Sequence, residues 1–329
     1  MLASNFIEEL WYGKHPLSLV LLPLSWLYRV LAAFRYSFYQ SGLLNIDHAS
    51  VPVIIVGNIS VGGNGKTPLV IWLANYLGNK GYHPGVVCSG YGGNARHWPQ
   101  QVRKDSDPAM VGDEAVVIAG RTNCPVAVSP RRYLSIEGLV NHHQCDIIVC
   151  DDGLQQYRLA RDIEIVVVDG TRRHGNQRLL PAGPLREPVS RLAHVDMIVC
   201  NGLHGRGEYQ MKFVPQELRS VNNDEQQRNI ESFKMEKVHA LAGIGNPKRF
   251  FQMLRKSGLN IIEHPFPDHH NFKANDLEFN DALSVIMTEK DAVKCRGFAN
   301  NKCWYLPIEV EMGNTFTFRL ESLLSKIYD

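Results

Sequence analysis

A short apolar run, Val53-Ile54-Ile55-Val56, feeds the stretch Gly57-Asn58-Ile59-Ser60-Val61-Gly62-Gly63-Asn64-Gly65-Lys66-Thr67-Pro68, and a helical pattern follows at Leu69, Val70, Trp72, Leu73 and Leu77. Strand, glycine-rich loop and helix in that order make a cradle for an anion. The glycines let backbone N–H groups turn toward a phosphate with no Cβ in the way. Lys66 supplies a point charge for β- and γ-phosphates, and the Thr67 hydroxyl can hold Mg2+. Pro68 suits the first turn of a helix, where its missing N–H is no loss. The expected nucleotide-binding set is therefore Ser60, Val61, Gly62, Gly63, Asn64, Gly65, Lys66 and Thr67. Ser60 stands where the general motif has glycine, and Gly62 and Gly63 supply the flexibility instead. An ordinary glycine-rich turn is the competing reading; Gly-Lys-Thr at this place in the pattern argues against it.

A second apolar run, Ile147 to Cys150, ends in Asp151-Asp152-Gly153, as a Walker-B strand does. Such an aspartate lies at the carboxyl end of its strand, near the Mg2+ held by Thr67. Adjacent side chains point in opposite directions, so one aspartate can face the metal and the other the substrate. Asp113 and Glu114 open a helical pattern, where the dipole alone favours carboxylates. An acid from Asp151, Asp152 or Glu114 would complete the metal site. Arg172, Arg173, Asn176 and Arg186 sit among glycines and prolines, which reads either as an anion-binding loop or as a solvated basic one.

Strands at about 51–56, 86–88, 125–129, 147–151, 163–168 and 195–200 alternate with helical segments. That alternation predicts an α/β fold with a mostly parallel, doubly wound sheet of the P-loop NTPase type. Composition changes divide the chain into a phosphate-loop domain over 46–205, a polar linker or extended hairpin over 206–236, and a smaller α/β domain over 237–329.

Residues 1–45 differ in character. The segment from His15 to Tyr28, interrupted by Pro23, is too short to cross a bilayer, and Glu8 and Glu9 precede its apolar part, unlike a signal peptide. Trp26, Tyr28, Tyr36, Phe38 and Tyr39 beside Arg29 and Arg35 suit a helix lying in the headgroup zone; a buried N-terminal helix is the alternative. The net charge of +2 on 329 residues gives no argument for a nucleic-acid partner. Seven cysteines without a C-x-x-C pair read as reduced thiols in a reducing compartment.

Taken in order, the stretches 56–68, Gly90-Tyr91-Gly92-Gly93, Gly112-Asp113-Glu114, Asp151 to Gln155, Leu179 to Glu187, Phe266-Pro267-Asp268-His269 and Thr288 to Lys294 resemble the bacterial tetraacyldisaccharide 4′-kinases of lipid A biosynthesis, over nearly the whole chain. Ser60 is ordinary for that family. Cys88-Ser89 and Gln155-Gln156 depart from its usual Ser-Arg and Gln-His, so no role for those residues carries over.

The resemblance implies transfer of the ATP γ-phosphate to the 4′-hydroxyl of a tetraacylated disaccharide 1-phosphate, with Mg2+. It also implies peripheral attachment to the cytoplasmic face of the bacterial inner membrane, where an acylated substrate stays. Asp113, oriented by His269 from the second domain, is the base the resemblance points to; Asp152 and Asp151 compete for that role. A membrane-associated nucleotide switch or a P-loop ligase is the rival function, although no Asn-Lys-x-Asp is present to read guanine.

Overall fold

A computed structural model describes residues 2–13 and 15–328; Met1 and Lys14 of the N-terminal segment, and Asp329, lie outside it. The chain begins with three helices, α1 (Leu2–Tyr12), α2 (Leu17–Val20) and α3 (Leu22–Gln40). Then come β1 (Val53–Gly57), α4 (Lys66–Asn79), β2 (Pro84–Cys88), β3 (Gln100–Val102), α5 (Pro108–Val111), α6 (Asp113–Arg121), β4 (Val126–Val128), α7 (Arg132–His143), β5 (Ile147–Asp151), β6 (Ile163–Asp169), β7 (Met197–Asn201) and β8 (Tyr209–Pro215). After these follow β9 (Leu218–Ser220), β10 (Gln227–Arg228), β11 (Lys237–Ala242), α8 (Pro247–Lys256), β12 (Asn260–Pro265), β13 (Val285–Thr288), α9 (Glu289–Cys295), β14 (Cys303–Leu306), β15 (Ile308–Met312) and α10 (Asn314–Tyr328).

The strands make two sheets. The larger has nine strands in the order β15-β8-β7-β6-β1-β5-β2-β4-β3, parallel except at its edges, where β3 and β15 pair antiparallel. Strand β1 is central, parallel to β5 on one side and β6 on the other. Its side chains alternate between two cores. Ile54 and Val56 meet Leu69, Leu73 and Leu77 of α4 and Phe316, Leu320 and Leu324 of α10. Val53 and Ile55 meet Ile136 and Leu139 of α7. Helices cover both faces, which is why this strand reads as an unbroken apolar run. The smaller sheet has six strands, β10-β9-β14-β13-β11-β12, with cores of its own around Phe233, Phe251 and Trp304 and around Leu241 and Met287.

The sheets do not divide where the composition changes. Strand β8 lies within the expected linker, 206–236, yet it pairs with β7 of the large sheet, and β9 and β10 join the small one. Strand β15 and helix α10 belong to the expected C-terminal domain but return to the large sheet. The chain thus passes between sheets twice, and the two crossings are tied together where the Gln216 N–H donates to the Pro307 carbonyl, 3.0 Å. Short strands with polar flanks show their partners only through long-range pairing, which local composition does not carry. Strands β3 and β12 went unread for the same reason.

Helix α3 lies against the large sheet through few residues. Ser25 is buried; its hydroxyl donates to the Leu179 carbonyl and accepts from the Ala182 N–H. The Tyr28 hydroxyl donates to the Arg186 carbonyl. Leu24, Trp26, Leu27, Val30, Leu31 and Phe34 all face solvent, Trp26 at 72% exposure. Among the described residues no helix is long and apolar enough to cross a membrane.

Candidate active site

The loop after β1 closes on itself before it offers anything to a ligand. Gly62 (φ 110°) and Gly65 (φ 95°) take left-handed conformations open to glycine, and a Cβ on Gly65 would lie 2.6 Å from the Phe213 ring. The Asn64 amide donates to the Ser60 hydroxyl, 2.9 Å, so the serine braces the loop from behind. Two of the expected nucleotide contacts therefore need correcting. Ser60 does not line the cleft; Val61 does, but its N–H is already given to the Pro184 carbonyl, 2.8 Å, so it offers no backbone donor there. Gly62 to Thr67 line it as well, with Lys66 and Thr67 at the start of α4, where unpaired N–H groups favour an anion.

The cleft, about 680 Å³, lies between the two sheets. On the large-sheet side, β5 brings Asp151 beside β1 in register with Val56. Asp151 is buried, and its Oδ1 has no hydrogen-bond partner among the described residues. Burial pushes its carboxyl up to about 6, against the pull of Lys66. A bare buried carboxylate oxygen at this strand end, beside the loop that carries the Thr67 hydroxyl, fits a hard divalent cation.

Asp152 stands differently. Its backbone turns left-handed (φ 49°), and its carboxylate lies 3.4 Å from Lys66 Nζ and 3.1 Å from Arg186 Nη1. Burial would raise its pKa, but Lys66 and Arg186 outweigh burial and bring it to about 2. Arg132, which the sequence reading passed over, pins this turn: its Nη2 donates to the carbonyls of Asp151 (3.1 Å) and Asp152 (2.8 Å).

The small sheet supplies the opposite wall. The turn from β11 to α8 packs directly on the phosphate loop, where a Cβ on Gly245 would lie 2.6 Å from the Gly63 nitrogen. Arg249 of α8 reaches Asp169 (3.2 Å), donates to the Gly63 carbonyl (3.2 Å) and lies over the Phe213 ring.

The turn after β12 delivers His269, also left-handed (φ 57°), to Asp113: Nδ1 and Oδ2 are 3.2 Å apart. Glu114 lies 3.6 Å from His269 Nε2 and 2.6 Å from Lys290 Nζ. Asp113 and Glu114 are near enough for each to shift the other. Burial raises both; Glu114 and His269 then hold Asp113 far below the carboxylate range, while Asp113 adds to the rise of Glu114. The bond to Asp113 draws the His269 pKa up, against burial.

Asp113, Glu114 and His269 bring potential ligand atoms within 4.8 Å of one another. Glu114, however, is already held by the Lys290 ammonium, whereas Asp151 keeps a free oxygen. The structure also orders access to the proton-handling pair. His269 and Glu114 line the cleft, while Asp113 is 4% exposed and lies behind the imidazole.

The arginine loop is placed differently from its expected role. Arg173 forms a two-pronged pair with Glu208 (2.8 and 2.6 Å), and the Asn176 amide donates to the carbonyls of Leu10 and Ala182. Arg172 binds Glu8 and the Gly245 carbonyl and stacks over Tyr12. These three satisfy internal partners; of the four, only Arg186 lines the cleft. Lys290, Asp268 and Arg249 were missed as site residues. Lys290 and Asp268 lay inside stretches already quoted for the family resemblance, and nothing local marks Arg249.

The sequence model of the family described as tetraacyldisaccharide-1-P 4′-kinase matches residues 17–326. A tetraacyldisaccharide 4′-kinase of Nitrosococcus oceani is 48% identical over 98% of this chain and 95% of its own length. One from Aeromonas salmonicida is 47% identical over 98% and 96%. The crystal structure of LpxK from Aquifex aeolicus in complex with ATP superposes with a TM-score of 0.78 at 27% identity, covering 95% of this chain and all of that one (100%).

Proposed function

This chain belongs to the tetraacyldisaccharide-1-P 4′-kinase family and is a kinase, and we propose that its cleft passes the γ-phosphate of ATP to the 4′-hydroxyl of a tetraacylated disaccharide 1-phosphate. One observation carries the reading. The phosphate loop of the large sheet and His269 of the small one, bonded to Asp113, meet at one cleft. A phosphate loop alone serves switches and ligases equally; a carboxylate–imidazole pair beside it offers a proton acceptor, which a hydroxyl nucleophile needs and a switch does not.

In this reading Lys66 and the N–H groups of Gly62, Gly63 and Gly65 to Thr67 neutralise the β- and γ-phosphates, the Asn64 N–H being given to the Gly62 carbonyl. Thr67 and Asp151 would hold Mg2+, which supplies charge neutralisation when bound. Asp152, fixed by Lys66 and Arg186, keeps both cations at the mouth of the loop. His269 Nε2 takes the hydroxyl proton, and Asp113 holds Nδ1 and stabilises the imidazolium that forms. This assigns contact with the substrate to His269 and support to Asp113, the reverse of the order expected from the resemblance, because the imidazole is the member that reaches the cleft.

The exposed apolar face of α3, flanked by Arg29 and Arg35, suits a helix lying at a membrane surface, with its cations at lipid phosphates. We place that surface at the cytoplasmic face of the inner membrane, where the acylated acceptor would be held.

ADP release tests the proposal. It should depend on the acylated disaccharide 1-phosphate and fall to background without it. Steady nucleotide hydrolysis indifferent to the acceptor would favour a switch or a ligase.

A further inference from the structure

Helices α6 and α9 belong to different sheets and pack against each other, and of the ion pairs that join them three are closest. Asp113 meets Lys294 at 3.5 Å, Glu114 meets Lys290 at 2.6 Å, and Arg121 meets Glu289 at 3.0 Å. Helix α6 contributes two anions and then a cation, and α9 contributes the complement. The first two pairs involve acids at the reaction site. The third lies eight residues along α6, about 12 Å away at the rise of an α-helix.

Both partners of this third pair are mostly withdrawn from water, Arg121 at 14% exposure and Glu289 at 18%. Arg121 also reaches Glu309 at 3.7 Å. Glu309 lies in β15, two residues past the Pro307 crossing, so one guanidinium joins α6 to elements on both sides of the passage between sheets. Near the crossings, small rotations of one sheet against the other move the cleft walls the most at their far ends.

We propose that Arg121 is a positioning residue for phosphoryl transfer: by gripping Glu289 and Glu309 it sets the register of α9 along α6, so that Lys290 meets Glu114 and His269 meets Asp113. The proposal rests on the kinase reading above. Arg121 does not itself line the cleft and meets its wall only through Glu289.

Arg121→Ala and Arg121→Lys test it. Misplacing reacting groups by about 1 Å costs about 10²-fold in rate, so Arg121→Ala should lose kcat on that order, with the KM for ATP changed by less than about threefold. Arg121→Lys, which keeps a cation between the two acids, should recover most of the loss. Hydrogen exchange should quicken in α9 and in the turn carrying His269, with circular dichroism unchanged. The exchange arm needs no product, so a wild-type protein that fails to phosphorylate the sugar would sink the kinase reading without being mistaken for failure of this one. Wild-type kcat and exchange in Arg121→Ala, or a loss of kcat matched by a loss of folded protein, would overturn the positioning role.

Discussion

His269 Nδ1 lies 3.2 Å from Asp113 Oδ2, although 156 residues separate them and they are carried by opposite walls of the cleft. The pair exists only while the small sheet sits against the large one. It sets the expected pH behaviour. Asp113 favours the charged imidazolium, so the His269 pKa lies above the ordinary value of about 6.5. His269 accepts a proton only when neutral, so kcat/KM should rise with pH through a limb above 6.5. Asp113→Asn should lower the rate and move that limb downward, because the anion that held the proton is gone. A limb that stays in place in Asp113→Asn would remove His269 as the titrating group.

The pair should also act as a unit. General bases contribute about 10²–10⁴-fold, so Asp113→Ala and His269→Ala should each lower kcat by that order while leaving ATP binding nearly intact. The double variant should then be little worse than the worse single one. Multiplicative losses in the double variant would separate their roles.

Lys66→Ala should leave the fold intact and abolish transfer. Lys66 is the cation that the loop presents to the β- and γ-phosphates, and Asp152 would be left facing Arg186 alone. Near-normal turnover in a folded Lys66→Ala protein would remove the phosphate-loop assignment. Asp151→Asn should instead raise the Mg2+ concentration needed for half-maximal rate by about tenfold or more, a shift that titration of the metal at saturating ATP reads directly.

How legible this site was in the sequence depends on how local each signal is. The phosphate loop and the Asp151-Asp152 strand end were readable because strand, glycines and charge lie within one short stretch. The meeting of Asp113 with His269 came only through resemblance, since no local pattern joins two loops from different sheets. Arg173 and Asn176 were misassigned because a basic, glycine-rich loop looks the same whether its cations await a ligand or, as here, already hold Glu208 and the N-terminal helix. Ser60 and the Val61 amide were over-read for a related reason: position in a motif does not reveal that the serine hydroxyl holds Asn64 or that the Pro184 carbonyl has taken the amide.

The apolar face of α3 offers a separate test. Trp26, Leu27 and Leu31 are exposed, so replacing all three with glutamate should leave the fold unharmed and abolish sedimentation with anionic vesicles. Unchanged sedimentation would place the membrane contact elsewhere.

The central claim is a single chemical event. Incubated with ATP, Mg2+ and tetraacyl disaccharide 1-phosphate, the protein should convert the lipid to a species heavier by one phosphate, located at the 4′ position by fragmentation, with ADP formed in equal amount. ADP formed without any gain in lipid mass, or a phosphate placed at another position, would contradict the account.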